Sequence, residues 1–407
     1  MTDRFQKTLG LSSFSVPEDF SEILAAALKE YEEKGAFFLE ESYLRRLQKD
    51  CDAFPRTLDA VLAGVERLRQ DRNAADYALS LVRAMELRVP FKRWIQTFPL
   101  LEQTHPMFGF FCLVPSIEKT YGDLKRRGVD ADIIAQTVNQ YEDCLFVYEK
   151  RFGKLGLNMR YFNHLQEYVD CEILNVDRLR FGFESLRKPV YLLRKKGTAE
   201  YVLLVGDGEM TAGGMVAKTA PAGQSAAFTA SFRETEEAYV GTPALENGTC
   251  SAQISTYNKK EYELVLRPGD LCLSTHIHPY GELSREACMA SYRRVLELVA
   301  RFYPEYRFKA FYCNSWMMSP ELKDVMKPTS KVLDFQSFYL RFPVATEGKA
   351  VLNFVFYMKG ADDYTQLPED TSLQRALKQR YLAGGRLNEY GGIMPFDWIR
   401  SPEDLWK

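Results

Sequence analysis

A chain of 407 residues exceeds the roughly 150 that one domain usually takes, so two domains are expected. The make-up of 46% apolar and 27% charged residues excludes a disordered chain, and a formal net charge of -2 leaves no global field to recruit nucleic acid or anionic lipid. No stretch approaches the ~18 uncharged apolar residues of a membrane helix, the N-terminal residues hold no apolar signal core, and the eight cysteines form no CxxC pair; a cytoplasmic protein without zinc knuckle or dense disulfide framework is expected.

In chain order, Ser15-Val-Pro17-Glu18 predicts a helix start, with a capping residue, an early proline and a glutamate three positions on, and the helix runs to about Glu33. Leu, Val and Ala recurring three and four apart predict helices near 41–50, 56–71 and 74–87. From Ala131, the stripe Ile134, Val138, Tyr141, Leu145 and Tyr148 marks a helix facing a core and ended by Gly153. Another helix is expected over about Met159 to Val169, so residues 1–172 are expected to be all helical. The basic runs Lys125-Arg-Arg127 and Leu193-Arg-Lys-Lys196 read as solvated faces.

Past Asn175 the texture turns to β: Tyr191-Leu-Leu-Arg and Tyr201-Val-Leu-Leu-Val flank a Lys-Lys-Gly hairpin. Gly206 to Ala230 is a loop of small residues, long enough for a lid, and its Gly206-x-Gly208 lacks the third glycine of a nucleotide fingerprint and reads as a turn. Asn247-Gly248 is a turn between strands. Then follow a strand over Leu271 to His278, a helix over Ser284 to Phe302, and strands over Phe308 to Met318, Val332 to Phe342 and Ala350 to Met358. Thr371 and Gln374 form a capping box for a last helix closed by Gly384. The whole reads as α+β, with a helical domain over 1–172 and a mixed β-sheet with flanking helices over 173–407.

The β-α-β step puts one parallel pair into an otherwise antiparallel sheet, and ligands of such pairs lie beyond the carboxyl ends of the strands. There Cys272, Ser274, His276 and His278 share one face, so two of the four histidines meet. Ser284 caps the crossover helix, whose stripe is Cys288, Tyr292, Val295, Val299 and Phe302, and whose N-terminus suits a phosphate. The neighbouring strand ends in Tyr312-Cys313-Asn314-Ser315-Trp316, small polar groups beside an aromatic.

Three ordered motifs, His276-Ile followed by Pro and Gly, Cys313-x-Ser315-Trp316, and Leu367-Pro-x-Asp-Thr-Ser-Leu-Gln-Arg375 running to Ala-Gly-Gly385, resemble a family of Gram-positive bacterial proteins. That family pairs an N-acyltransferase helical N-terminal domain with a GNAT-like C-terminal domain, and the resemblance covers the chain from about residue 40 onward. It implies an acyl-CoA-dependent N-acyltransferase in which the thioester lies between two splayed parallel strands and a small-molecule or peptide amine attacks its carbonyl. Acyl-CoA is then a co-substrate, with no metal. On this reading the base is His276 or Glu282, and the late acid is Cys313, Ser315 or Tyr312. The coenzyme contacts are His278, Tyr280, Gly281, Ser284, Arg285, Asn314, Trp316 and Arg375. The Gln/Arg-x-x-Gly-x-Gly/Ala loop typical of GNAT enzymes is absent, and Pro279-Tyr-Gly281-Glu stands in its place.

Two other readings stand beside it. His276-x-His278-x-x-x-Glu282 resembles the first metal motif of a cupin barrel, and a GNAT-like module can also bind a ligand or partner without catalysis. Acyl chain, acceptor, pathway and oligomeric state are not encoded in these motifs.

Overall fold

A computed structural model describes residues 18–86, 103–157, 167–219, 225–278, 281–346, 348–358, 360–361 and 363–399. The chain divides into two compact units, Met1–Asn175 and Val176–Lys407. The Ser15–Pro17 helix start and residues 159–166 of the expected helix before Val169 lie outside the described residues.

The described helices of the first unit are α1 (Glu18–Lys34), α2 (Glu41–Cys51), α3 (Leu58–Gln70), α4 (Arg72–Glu86), α5 (Phe108–Arg127) and α6 (Ala131–Phe152). The expected stripe on α6 is buried throughout, and Gly153 ends the helix in the left-handed conformation. Helix α5 carries Pro115 inside it and buries Phe108, Phe110 and Phe111, a run with no clean 3.6-residue alternation that was not singled out as a helix above. The loop entering α3 is tied to α6 by Glu142, 1% exposed, whose carboxylate accepts from Arg56 N (2.9 Å), Arg56 Nε (2.7 Å) and Thr57 Oγ1 (2.8 Å).

Strand β1 (Ile173–Val176) spans the division between the units. The second unit continues with β2 (Leu179–Ser185), β3 (Val190–Lys195), β4 (Tyr201–Val205), β5 (Gly208–Met210), β6 (Phe228–Ala230), β7 (Phe232–Glu234), β8 (Ala238–Pro243), β9 (Ser255–Asn258), β10 (Tyr262–Leu266) and β11 (Leu271–Ile277). Helix α7 (Arg285–Phe302) then crosses to β12 (Phe308–Ser315), followed by α8 (Lys331–Gln336), β13 (Leu340–Pro343), α9 (Ala350–Phe354), α10 (Ser372–Leu382) and β14 (Tyr390–Pro395).

The principal sheet runs β2-β11-β12-β14-β13, and β11-β12 is its parallel pair. A second, antiparallel sheet runs β10-β3-β4-β8-β7, including the expected β3-β4 hairpin. One face of the principal sheet packs on the second sheet, bringing Cys272, Ala310, Tyr312 and Ile393 onto Leu192, Leu203 and Val205. On the other face Phe181 and Phe311 meet Tyr292 of α7 edge-on or tilted, with ring centroids 4.7–5.6 Å from Tyr292. Each such buried aromatic or branched side chain contributes about 1.5–3 kcal/mol.

Two expected strands take other forms. Residues 332–342 contain α8 before β13, because the Ser330 side chain accepts the Val332 N–H (3.3 Å) and starts a helical turn. Residues 350–358 contain α9, whose apolar run buries Val351 and Leu352 in a helical layer with Phe356, Leu377 and Tyr381. The expected strand to Met318 stops at Ser315 and continues as a 3-10 turn. Strand β14 is not among the strands expected above, and its Gly391-Gly392 lacks the side chains of a strand former. Its glycines serve packing instead: a Cβ at Gly391 would run into the Phe342 ring, and one at Gly392 would stand 2.9 Å from Tyr339 Cβ.

Candidate functional site

The parallel pair closes at one end and opens at the other. Leu271, Leu273 and Ser274 register with Phe308, Phe311 and Tyr312, with a shift between Leu271 and Leu273, and the pairing stops there. Both strands run on. Thr275, His276 and Ile277 pair only outward, with Phe181, Arg180 and Leu179 of β2. Cys313, Asn314 and Ser315 likewise pair only outward, with Gly392, Gly391 and Tyr390 of β14. Between the diverging ends two backbone edges face each other without a ladder, and peptide N–H and C=O groups so left require another partner.

His276 sits on the open end of β11, half-buried, with Nε2 3.3 Å from Ser274 Oγ. Directly across on β2 is Arg180, whose Nε is buried without a hydrogen-bond partner among the described residues. Such an unsatisfied charged donor is costly unless something outside the fold accepts from it. On the opposite face, the hydroxyls of Tyr292 and Tyr339 are hydrogen-bonded to each other, and burial pushes both phenols far above their usual range.

The turn leading to α7 is held by one side chain. Arg178 donates through Nη1 to the His278 carbonyl (2.7 Å) and through Nε to the Glu282 carbonyl (3.0 Å), while its backbone N–H reaches Ser291 Oγ (3.0 Å). Burial lowers its pKa. Gly281 adopts φ +84, and Ser284 caps α7 by accepting the Ala287 N–H at 3.2 Å. The helix start thus lies beside the open strand ends with its first N–H groups directed at the turn.

Other expected site residues are placed differently. Glu282 is exposed and ion-paired to Lys331. Arg285 forks onto Asp334 (3.2 Å from Nε to each oxygen), reaches Ser337 Oγ at 3.1 Å and lies over the Phe338 ring. Cys313 is buried, and burial pushes its thiol up to about 12, so it is an inert core thiol at neutral pH. Tyr312 is buried in the sheet-on-sheet core. Asn314 is exposed at the strand end, and the Ser315 hydroxyl accepts the Met317 N–H (3.1 Å). Trp316 packs into the helical layer around Leu322. Arg375, on α10, gives Nη1 to the Glu369 carbonyl (2.7 Å). Tyr280 lies outside the described residues. Arg178 and Arg180 were missed by sequence reasoning, because β2 carried no motif; an Arg-x-Arg alternation on a strand next to the histidines was the only available signal.

The barrel alternative does not fit. Strand β11 lies between an antiparallel and a parallel neighbour and feeds an 18-residue helix, rather than turning back as a further antiparallel strand. Among the described residues no group of three His, Cys, Asp or Glu side chains could hold a metal ion, and no helix is long and apolar enough to cross a membrane.

The family model of the GNAT-like C-terminal domain matches residues 173–394. No curated protein matches the chain. Among solved structures, an acyltransferase in complex with decanoyl-CoA and teicoplanin is similar at 16% identity and a TM-score of 0.59, covering 97% of this chain and 99% of that one. A mutant acyltransferase in complex with octanoyl-CoA gives the same four values. An acyltransferase with CoA and 10C-teicoplanin follows at 15% and 0.58, with the same coverage. At these identities the likeness is one of fold.

Proposed function

This chain belongs to the family of proteins with a GNAT-like C-terminal domain, and from that premise we propose that it is an acyl-CoA-dependent N-acyltransferase. The observation that carries the reading is the parting of β11 and β12 after Ser274 and Tyr312, beside the capped start of α7. The pantetheine arm lies along the open strand edges, and the pyrophosphate lies at the α7 N-terminus near Gly281 and Ser284. His276 is the base: it takes the proton from the acceptor amine, directly or through one water, as nitrogen attacks the thioester carbon. The C–S bond then breaks, the amide forms, and the thiolate leaves with a proton returned from His276. Arg180 faces the negative charge of the donor with its unpartnered Nε–H.

The neighbours that hold decanoyl-CoA and octanoyl-CoA favour a medium-length acyl chain, and the one that holds teicoplanin favours a small-molecule amine over a protein acceptor. An acyl-CoA donor is made inside cells, which supports a cytoplasmic reaction on this reading. The test is a thermal-shift series with CoA and with acetyl-, octanoyl- and decanoyl-CoA. The reading expects Tm to rise with ligand concentration and most for the medium chains. No shift from any of the four overturns it.

A further inference from the structure

A cavity of about 360 Å³ opens where β12 ends. Its lining joins Tyr390, the register partner of Ser315, to Glu321 and Asp324 in the 3-10 turn after the strand, and to Thr211, Asn247 and Asn388. The volume is at the lower end of that of small-ligand pockets, and the walls are mixed, with hydroxyls, amides and carboxylates set among Met215, Val216 and Pro320.

The two carboxylates differ. Asp324 already has a cation, accepting from Arg380 Nη1 at 3.0 Å. Glu321 is held by neutral donors alone, Ser319 Oγ and Asn388 Nδ2 (3.4 Å), and makes no ion pair among the described residues. Arg341, whose charge reaches Glu321, spends Nη1 on Gln336 Oε1 (3.2 Å) and Nη2 on the Glu246 carbonyl (2.9 Å). Lys323 also lines the cavity, is exposed, and makes no ion pair with Glu321 among the described residues. A half-buried, pre-oriented carboxylate with no direct ion pair among the described residues, facing a cavity one strand from the open ends, can accept a charged N–H from a ligand.

We infer that this cavity anchors the acyl acceptor, and that the acceptor is a short amine with a second cationic nitrogen, which Glu321 holds while the first nitrogen is presented to the strand ends. The inference rests on the acyltransferase reading for the fate of the first nitrogen, but the binding of the second stands by itself. Full-length protein is titrated calorimetrically with putrescine, spermidine and 4-aminobutanol, the last replacing one nitrogen of putrescine with a hydroxyl. The expected result is binding of the di- and triamine about tenfold or more tighter than that of the amino alcohol, consistent with one charge-assisted contact. In Glu321→Gln that preference disappears, with decanoyl-CoA binding and an unshifted Tm serving as fold controls. Equal affinity for putrescine and 4-aminobutanol in the wild type, no binding of any of the three, or a preference retained in Glu321→Gln overturns the inference. A diamine preference in a protein that binds no acyl-CoA sinks the transferase reading and leaves the cavity assignment intact.

Discussion

The helical unit and the strand ends of the second unit both draw charged side chains out of water, and they satisfy them differently. In the helical unit, Glu142 is almost fully buried and every contact it needs comes from the chain itself, from Arg56 and Thr57. At the strand ends, Arg180 Nε is buried without a partner among the described residues, and His276 has a ladder only on its β2 side. Closed networks hold a fold in place; open ones leave work for a ligand. The contrast separates residues that are conspicuous because they are structural from residues that are available for chemistry.

The largest expected effect comes from breaking the closed network. Glu142→Ala takes the acceptor from the Arg56 backbone N–H and the buried Thr57 hydroxyl, while the half-exposed Arg56 guanidinium keeps Asp143, and it is expected to cost about 2–4 kcal/mol in urea unfolding, because each stranded donor costs about 1–3 kcal/mol. Next is His276→Ala, which should lower thioester turnover by roughly a hundredfold while leaving the unfolding midpoint near that of the wild type. Unchanged turnover would remove His276 from the role of base. A substitution that strains the closed side of the site comes third: Gly391→Ala drives a methyl group into Phe342 and is expected to destabilise by about 1–3 kcal/mol.

The smallest effect belongs to an exposed pair. Arg46, by hydrogen bonding, holds the Glu118 carboxyl below its usual range. The folded state therefore binds that proton less readily than the unfolded chain, so the contribution is present at neutral pH and is lost as pH falls through the acidic range. With both side chains nearly half exposed, Glu118→Gln should cost well under 1 kcal/mol at pH 7. Urea midpoints of the two proteins should converge at pH 3, and a gap that widens there would refute the assignment.

Much of the fold was legible because local chemistry and tertiary packing agree. The α7 stripe Cys288, Tyr292, Val295, Val299 and Phe302 is buried as spaced, Ser284 caps it, and Thr371 with Gln374 forms the capping box. Reading failed where the local signal was ambiguous. The apolar run at Val351-Leu352 and Val355-Phe356 suits a buried strand or a buried helix equally, and packing with Leu377 and Tyr381, distant in sequence, goes with the helix. Nothing local marks β14 at Gly391-Gly392, because the reason for the two glycines lies in Phe342 and Tyr339, rings about fifty residues earlier in the chain.

The candidate site was legible in its landmarks and not in its partners. That His276, Ser284 and Asn314 stand at strand and helix ends was read from the strand-helix-strand order, and the structure places them there. The commitment of Arg285 to Asp334, the ion pair of Glu282 with Lys331 and the burial of Cys313 depend on what tertiary structure brings alongside, which spacing in one strand does not encode.

Gly391 and Gly392 stand directly behind Asn314 and Cys313 in the sheet, and neither has a rotamer to change. A ligand pressing on the end of β12 therefore meets bare peptide clamped under two rings, a backing that loses no side-chain entropy when it is loaded. If the proposed acyl donor contacts Asn314, the cost of ordering therefore falls on the β11 side, where half-buried His276 has rotamer freedom to lose and Arg178 is already fixed by its hydrogen bonds.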